Sequence, residues 1–157
     1  MAVARRAPQS LMARALQWLA GREHSRPELR AKLLRWSDDP EAPAQVDAVL
    51  DLLVARGRLS EARFVESRVH ARVSRFGNRR IEQELRQHGL APDAATRDEL
   101  SRTELARARE VWRKKFDQQA TTPAERARQA RFLTARGFSG DVVRQLIKRP
   151  DGDSEAA

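Results

Sequence analysis

The chain reads as an all-α protein made of three tandem three-helix repeats, and three observations predict this. Apolar residues recur at three- and four-residue spacings, while the alternating pattern of a strand is missing. Helix breakers fall at regular places: Gly21, Asp38-Asp39-Pro40, Pro43, Gly57, Gly77-Asn78, Gly89, Pro92, Thr121-Thr122-Pro123, Gly137 and Pro150. A short phrase also returns, in Leu53-Val-Ala-Arg-Gly57-Arg-Leu59, Leu85-Arg-Gln-His-Gly89-Leu90 and Leu133-Thr-Ala-Arg-Gly137-Phe138. Each places a Leu four residues before a Gly and an apolar residue just after it. That is the pattern of a left-handed glycine stop with its hydrophobic contact.

Between these breakers nine helices are expected. The first runs from about Ser10 to Ala20, where Met12, Leu16 and Leu19 form a stripe. The second, Pro27 to Arg35, carries the best start signal in the chain. Ser25 caps it, Pro27 occupies a first-turn position that needs no amide donor, and Glu28 completes a capping box. Leu29 and Leu33 then open its buried face. The third helix runs from Pro43 to Arg56 and stops at Gly57. The fourth starts after Ser60 and spans Glu61 to Arg75, and the fifth lies between Gly77-Asn78 and Gly89, from Arg79 to His88. A sixth is expected from Asp93 to about Leu100 and a seventh from Arg102 to Phe116, with Trp112 and Phe116 one turn apart on a buried face. The eighth spans Pro123 to Arg136, and the ninth follows Ser139, from Gly140 to Lys148.

Nine helices form three repeats, at residues 10–57, 58–100 and 101–149, preceded by a flexible segment 1–9 and followed by an acidic tail 150–157. A lobe of this size buries too little surface to be stable alone, so the repeats are expected to stack and support one another. The expected molecule is elongated and curved, and it flexes between lobes.

Composition narrows the function. The 157 residues are 40% hydrophobic and 34% charged, with neither Cys nor Tyr. A disulfide framework, a thiolate zinc site and a cysteine nucleophile are thereby excluded. No apolar run approaches the roughly 20 residues that span a bilayer, and a cytoplasmic monomer is expected. Residues 1–22 hold four arginines and no acid, as in a transit peptide. The helical stripe at Met12, Leu16 and Leu19 instead assigns this stretch to the fold.

Enzymatic chemistry finds no support. His24, His70 and His88 lie on different elements without a second ligand at metal spacing. No phosphate loop, nucleotide fingerprint, metalloprotease or hydrolase motif is present. Glu82 and Glu84 point apart on a helix, and Asp38-Asp39 reads as a solvated turn. No catalytic residue, metal or cofactor is expected.

Charge is the stronger signal. The net charge is +9, distributed in blocks. Residues 1–36 carry eight bases and two acids, 37–67 three bases and seven acids, 68–89 six bases and two acids, and 101–149 thirteen bases and five acids. Arg68, Arg72 and Arg75 form one stripe if their helix persists, and Arg79 and Arg80 open the next helix. Arg113-Lys114-Lys115 and Arg126, Arg128, Arg131 and Arg136 form two further clusters. Arginine suits bidentate contacts with phosphate or carboxylate, so both a nucleic acid and an acidic protein surface are suitable partners. No base-reading motif points to sequence-specific recognition. The large aromatic side chains read as core anchors, except Phe76. That ring sits beside Gly77 within an arginine-rich stretch and is the one to check for exposure.

A series of blocks stands in order along the chain. It begins with Arg22-Glu-His-Ser25-Arg26-Pro27-Glu28-Leu29-Arg-Ala-Lys-Leu33 and continues with Leu59-Ser-Glu-Ala-Arg63-Phe64. It extends through Gly77-Asn-Arg79-Arg80-Ile81-Glu-Gln-Glu84-Leu85-Arg-Gln-His-Gly89-Leu90, then Trp112-Arg-Lys-Lys-Phe116 and Arg131-Phe132-Leu133-Thr-Ala-Arg136-Gly137-Phe138. Together these blocks resemble the RecX family, regulators of the recombinase RecA. The blocks stand in family order and cover residues 11–149. Two departures stand out. Ser60 replaces the usual acidic cap, which does the same work, and the tyrosines common in the family are missing, including after Gly57, where Arg58 stands. The resemblance implies a triple repeat of three-helix units and a non-enzymatic modulator that lies in the groove of the RecA–DNA filament. Such a modulator would restrain ATP hydrolysis, strand exchange and stimulated repressor cleavage in DNA repair and the SOS response. Weak contacts with single- or double-stranded DNA phosphates would accompany it. A general non-sequence-specific DNA-binding helical protein is the alternative. Candidate contact residues are Arg22, Arg26, Arg68, Arg72, Arg75, Arg79, Arg80, Arg113, Lys114, Lys115, Arg131 and Arg136, some of which must pair with acids such as Glu23, Glu28 or Glu84.

Overall fold

The computed structural model describes residues 10–148, which form eight α-helices and, among those residues, no strand. They are α1 (Leu11–Gly21), α2 (Arg26–Trp36), α3 (Ala42–Ala55), α4 (Glu61–Arg72), α5 (Asn78–Gln87), α6 (Ala94–Lys115), α7 (Pro123–Ala135) and α8 (Gly140–Leu146). The all-α expectation holds. The segment 1–9 and the acidic tail 150–157 lie outside the described residues.

Short polar side chains start most helices by satisfying amides that no turn yet covers. Ser10 Oγ accepts from the Ala13 N–H (3.1 Å), Ser25 Oγ from Glu28 (3.3 Å), Ser60 Oγ from Arg63 (3.2 Å) and Asp93 Oδ1 from Thr96 (2.8 Å). At α7 the box is complete, with Thr122 and Glu125 exchanging side-chain and backbone bonds. The three repeated phrases are the stops they predict. Gly57, Gly89 and Gly137 have φ of +70°, +71° and +88°, a region only glycine enters without strain. The residue after each glycine bonds back to its Leu carbonyl: Arg58 to Leu53 (2.8 Å), Leu90 to Leu85 (3.0 Å) and Phe138 to Leu133 (3.2 Å).

Two expectations change. The sixth and seventh helices are one, since α6 runs unbroken through Leu100 and Arg102. No Gly or Pro lies between Pro92 and Pro123. Thr103 turns its hydroxyl back to the Glu99 carbonyl (2.8 Å) within the continuous helix. The fourth helix stops at Arg72 instead of Arg75, and a turn closed by Arg75 N–H to Arg72 O (3.0 Å) follows.

The chain divides into two compact units, one ending at Ser67 and one beginning at Arg68. In the first, α1, α2 and α3 enclose Ala15, Leu29, Leu33, Val46, Leu50, Leu53 and Leu59, with Trp18 and Leu19 packed against them. In the second, α6, α7 and α8 enclose Ala108, Val111, Leu133, Phe138, Val142 and Val143, with Trp112 and Phe132 alongside. Ile81 and Leu85 of α5 and Leu100 of α6 are also buried. Each well-buried aliphatic side chain contributes about 2 kcal/mol by transfer from water.

Candidate functional site

Two turns of the second unit cross at close range. Gly77 N–H donates to the Arg136 carbonyl (2.9 Å), and Arg79 N–H donates to the Gly137 carbonyl (3.0 Å). The crossing leaves no room for side chains. A Cβ on Gly77 would meet Phe138 N at 2.3 Å, and one on Gly137 would meet Arg80 Cβ at 2.4 Å.

Helix α6 pins both turns. Glu104, buried in its middle, accepts from Asn78 N–H (3.2 Å) and Ser139 N–H (3.0 Å) through one carboxylate oxygen and from the Ser139 hydroxyl (3.1 Å) through the other. One anion thus caps the start of α5 and of α8, where free amides and the helix dipole favour negative charge. One turn later, Arg107 donates to the carbonyls of Phe76 (3.0 Å) and Leu100 (3.1 Å), to Thr103 Oγ1 (3.1 Å) and to Asn78 Oδ1. Burial pushes the Arg107 guanidinium below its ordinary pKa, and the nearby Glu104 carboxylate opposes that shift.

This scaffold gathers cations around aromatic rings. Phe76 is half-buried and faces three guanidinium groups, those of Arg80 at 4.3 Å, Arg75 at 5.5 Å and Arg136 at 5.6 Å from the ring centroid. Arg136 also lies 5.2 Å from Phe132, which Lys115 approaches at 5.7 Å. Phe132 meets Phe116 edge-on at 5.4 Å, and Arg128 stands 5.7 Å from Phe116. Contacts of this kind stabilise by about 0.5–1 kcal/mol each at exposed positions. Arg75, Arg80, Arg136 and Lys115 make no ion pair or hydrogen bond to a carboxylate among the described residues.

The twelve sequence candidates therefore separate. Arg75, Arg80, Arg136 and Lys115 come together at the ring cluster. Arg79 and Arg131 are exposed nearby in sequence, and Lys114 lies beside Lys115, all three without a carboxylate partner among the described residues. Arg68 and Arg72 instead hold Glu84, at 3.3 Å and 3.0 Å, with Arg72 making two bonds to its carboxylate. Arg113 pairs with Glu110 at 3.0 Å. In the first unit Arg22 holds Glu28 (2.7 Å) and Arg26 holds Asp51 (2.6 Å). The expected stripe of Arg68, Arg72 and Arg75 is thus divided: its first two members are partnered inside the fold and the third faces Phe76.

Glu104 and Arg107 were missed as parts of this site, whereas Arg128, grouped in sequence with Arg126, Arg131 and Arg136, joins it at Phe116. Glu104 and Arg107 look like an ordinary i,i+3 surface pair in sequence, and only the crossing of the two glycine turns buries them. No group of three or more His, Asp or Glu residues is placed to hold a metal among the described residues. No helix among them is long and apolar enough to cross a membrane.

Comparison with known proteins gives the site a context. Residues 60–97 match the family profile described as RecX, second three-helix domain, and residues 103–147 match RecX, third three-helix domain. A regulatory protein RecX of Leptothrix cholodnii is 53% identical over 148 residues, covering 93% of this chain and 92% of the relative. The regulatory protein RecX of Ralstonia nicotianae is 47% identical over 148 residues (93% and 91%), and that of Herminiimonas arsenicoxydans is 44% identical over the same length (93% and 96%).

Proposed function

The chain belongs to the RecX family of regulatory proteins, and from that premise we propose that it binds the RecA–DNA filament and restrains RecA's activities. The ring cluster of the second unit is its main cationic contact. The observation that carries this reading is the gathering of Arg75, Arg80, Arg136 and Lys115 on Phe76 and Phe132 with no carboxylate among them. A one-signed field steers toward a dense polyanion, and a DNA-bearing filament is such a partner.

The three repeats, at 10–57, 58–100 and 101–149, would each touch the filament weakly. Linked contacts on one polymer then reinforce one another through effective concentration. Occupation of the groove excludes other clients, such as a repressor or a second DNA, and hinders the subunit motions that accompany ATP hydrolysis. The protein does no chemistry of its own in this account.

The test adds the protein to preformed RecA filaments and follows ATP hydrolysis and repressor cleavage. Inhibition at stoichiometry well below RecA is expected. A second reading, general non-sequence-specific DNA binding, draws on the same one-signed cluster. It is favoured if inhibition needs protein in excess of RecA and naked DNA is bound as tightly as the filament.

A further inference from the structure

Phe76 differs from the phenylalanines that fill the cores. Phe64 and Phe138 are 1% and 0% exposed and fill cores, whereas the Phe76 ring is only half-buried and is surrounded by guanidinium groups. Its backbone, by contrast, is fixed, because its carbonyl accepts from Arg107 and the next residue is clamped to Arg136 O. A fixed backbone holding a partly exposed ring is an arrangement that core packing does not require.

The three guanidinium groups reach this ring from different elements. Arg75 comes from the turn after α4, Arg80 from the first turn of α5 and Arg136 from the end of α7. Gathering three like charges is unfavourable unless something holds them or an anion joins them. The ring holds them, since its face attracts cations. A guanidinium that lies over a ring keeps its N–H edges for bidentate donation outward.

We propose that Phe76 is a positioning residue for nucleic-acid phosphates: its ring holds Arg75, Arg80 and Arg136 with their donor edges free to receive a phosphodiester backbone. The inference deepens the filament-binding reading and rests on it. Phosphate is the favoured anion because the cluster holds no acid. A specific protein surface is recognised by interleaved charges of both signs, whereas a uniform cationic field matches a partner of uniform negative charge. The ring makes no contact with phosphate itself. It acts by limiting where the guanidinium groups can be.

The experiment measures binding of the full chain to a fluorescently labelled oligo-dT single strand over a series of salt concentrations. The variants are Phe76→Leu, Phe76→Tyr, Arg80→Gln and Arg136→Gln. Each arginine variant should lower the slope of log K against log salt by about 0.7, the loss of one phosphate contact on a single strand. Phe76→Leu keeps every charge, so its slope should match the unaltered protein while Kd rises about fivefold at every salt concentration, the equivalent of one lost cation–ring contact. Phe76→Tyr, which keeps the ring, should restore the affinity. Phe76→Tyr should melt within about 2 °C of the unaltered protein, and Phe76→Leu, which gives up three cation–ring contacts, no more than about 10 °C lower.

Three results would overturn the inference while leaving the filament reading in place. The first is normal binding by Phe76→Leu while the arginine variants weaken. The second is a melting loss in Phe76→Leu beyond that of its cation–ring contacts, which would make the ring a core residue. The third is competition by poly-glutamate equal to that of unlabelled oligo-dT at equal charge, which would point to a carboxylate partner. Unchanged binding in all four variants would remove the cluster from nucleic-acid contact and overturn the inference, whereas failure of the unaltered chain to inhibit RecA filaments would overturn the filament reading.

Discussion

The two units hold several of their arginines differently. In the first, Arg22, Arg26, Arg30 and Arg63 each face a carboxylate, those of Glu28, Asp51, Asp47 and Glu23. In the second, Arg75, Arg80 and Arg136 face a phenyl ring and no carboxylate among the described residues. The contrast is not complete. In the first unit Arg14 lies over the rings of Trp18 (4.9 Å) and Trp36 (5.8 Å), and Arg56 and Arg58 are exposed with no carboxylate partner among the described residues. In the second, Arg68 and Arg72 hold Glu84, and Arg97, Arg113 and Arg144 pair with Glu82, Glu110 and Asp141. It still teaches that counted charge and available charge are different quantities. An exposed ion pair adds at most about 1 kcal/mol to stability, but it cancels the local field that would draw a polyanion. A ring attracts a cation without cancelling its charge.

The comparison is broken most directly through its scaffold. Replacing Glu104 by Ala orphans the amides of Asn78 and Ser139 and removes the nearby anion of Arg107. A loss of about 3–4 kcal/mol is expected in urea unfolding, with nucleic-acid binding lost as the two turns separate. Gly137→Ala should cost about 3 kcal/mol, from the left-handed backbone and the collision with Arg80. Gly89→Ala, at φ +71° but in open space, should cost only about 1–2 kcal/mol. Equal losses at the two glycines would deny the crossing its importance.

Charge reversal sharpens the contrast at smaller energies. Arg80→Glu should weaken oligonucleotide binding about tenfold or more while lowering the melting midpoint by no more than about 4 °C, because two contacts' worth of charge is removed at a site whose internal partner is a ring and not a carboxylate. Arg26→Glu should alter binding by less than about twofold, since Asp51 already offsets that charge. Arg72→Glu should lower stability and binding together, because it sets a carboxylate against Glu84.

The smallest effect concerns pH and belongs to the first unit. His24 is enclosed, its Nδ1 donating to the Arg22 carbonyl (3.0 Å) and its Nε2 accepting from Lys32 (2.9 Å). Burial holds its pKa below the ordinary value of 6.5. A histidine whose folded pKa is depressed binds protons more readily when unfolded. Its contribution is therefore complete above pH 6.5 and declines as pH falls toward the folded value. Thermal melts between pH 8 and pH 5.5 should show this decline, and His24→Gln should flatten it.

Much of the fold was legible because its signals are local. Ser25, Ser60 and Asp93 cap as short polar side chains do, and Gly57, Gly89 and Gly137 stop helices where a Leu precedes them by four residues. The continuity of α6 was legible only as the missing breaker between Pro92 and Pro123, since the boundary expected at Leu100–Arg102 had no Gly or Pro to enforce it. At the site, the singular position of Phe76 could be read from its neighbours Gly77, Arg75 and Arg79. The partners of Arg26, Arg68 and Arg72 could not, because Asp51 and Glu84 lie on other helices and approach only when those helices pack. The roles of Glu104 and Arg107 depend in the same way on turns about thirty residues distant from each.

One measurement bears most directly on the account. RecA filaments formed on single-stranded DNA are followed for ATP hydrolysis with the unaltered chain, with Arg80→Glu/Arg136→Glu and with Arg22→Glu/Arg26→Glu. The account predicts inhibition by the unaltered chain at substoichiometric levels, its loss in the first double variant and its retention in the second. Retained inhibition in the first variant, or its loss only in the second, would contradict it.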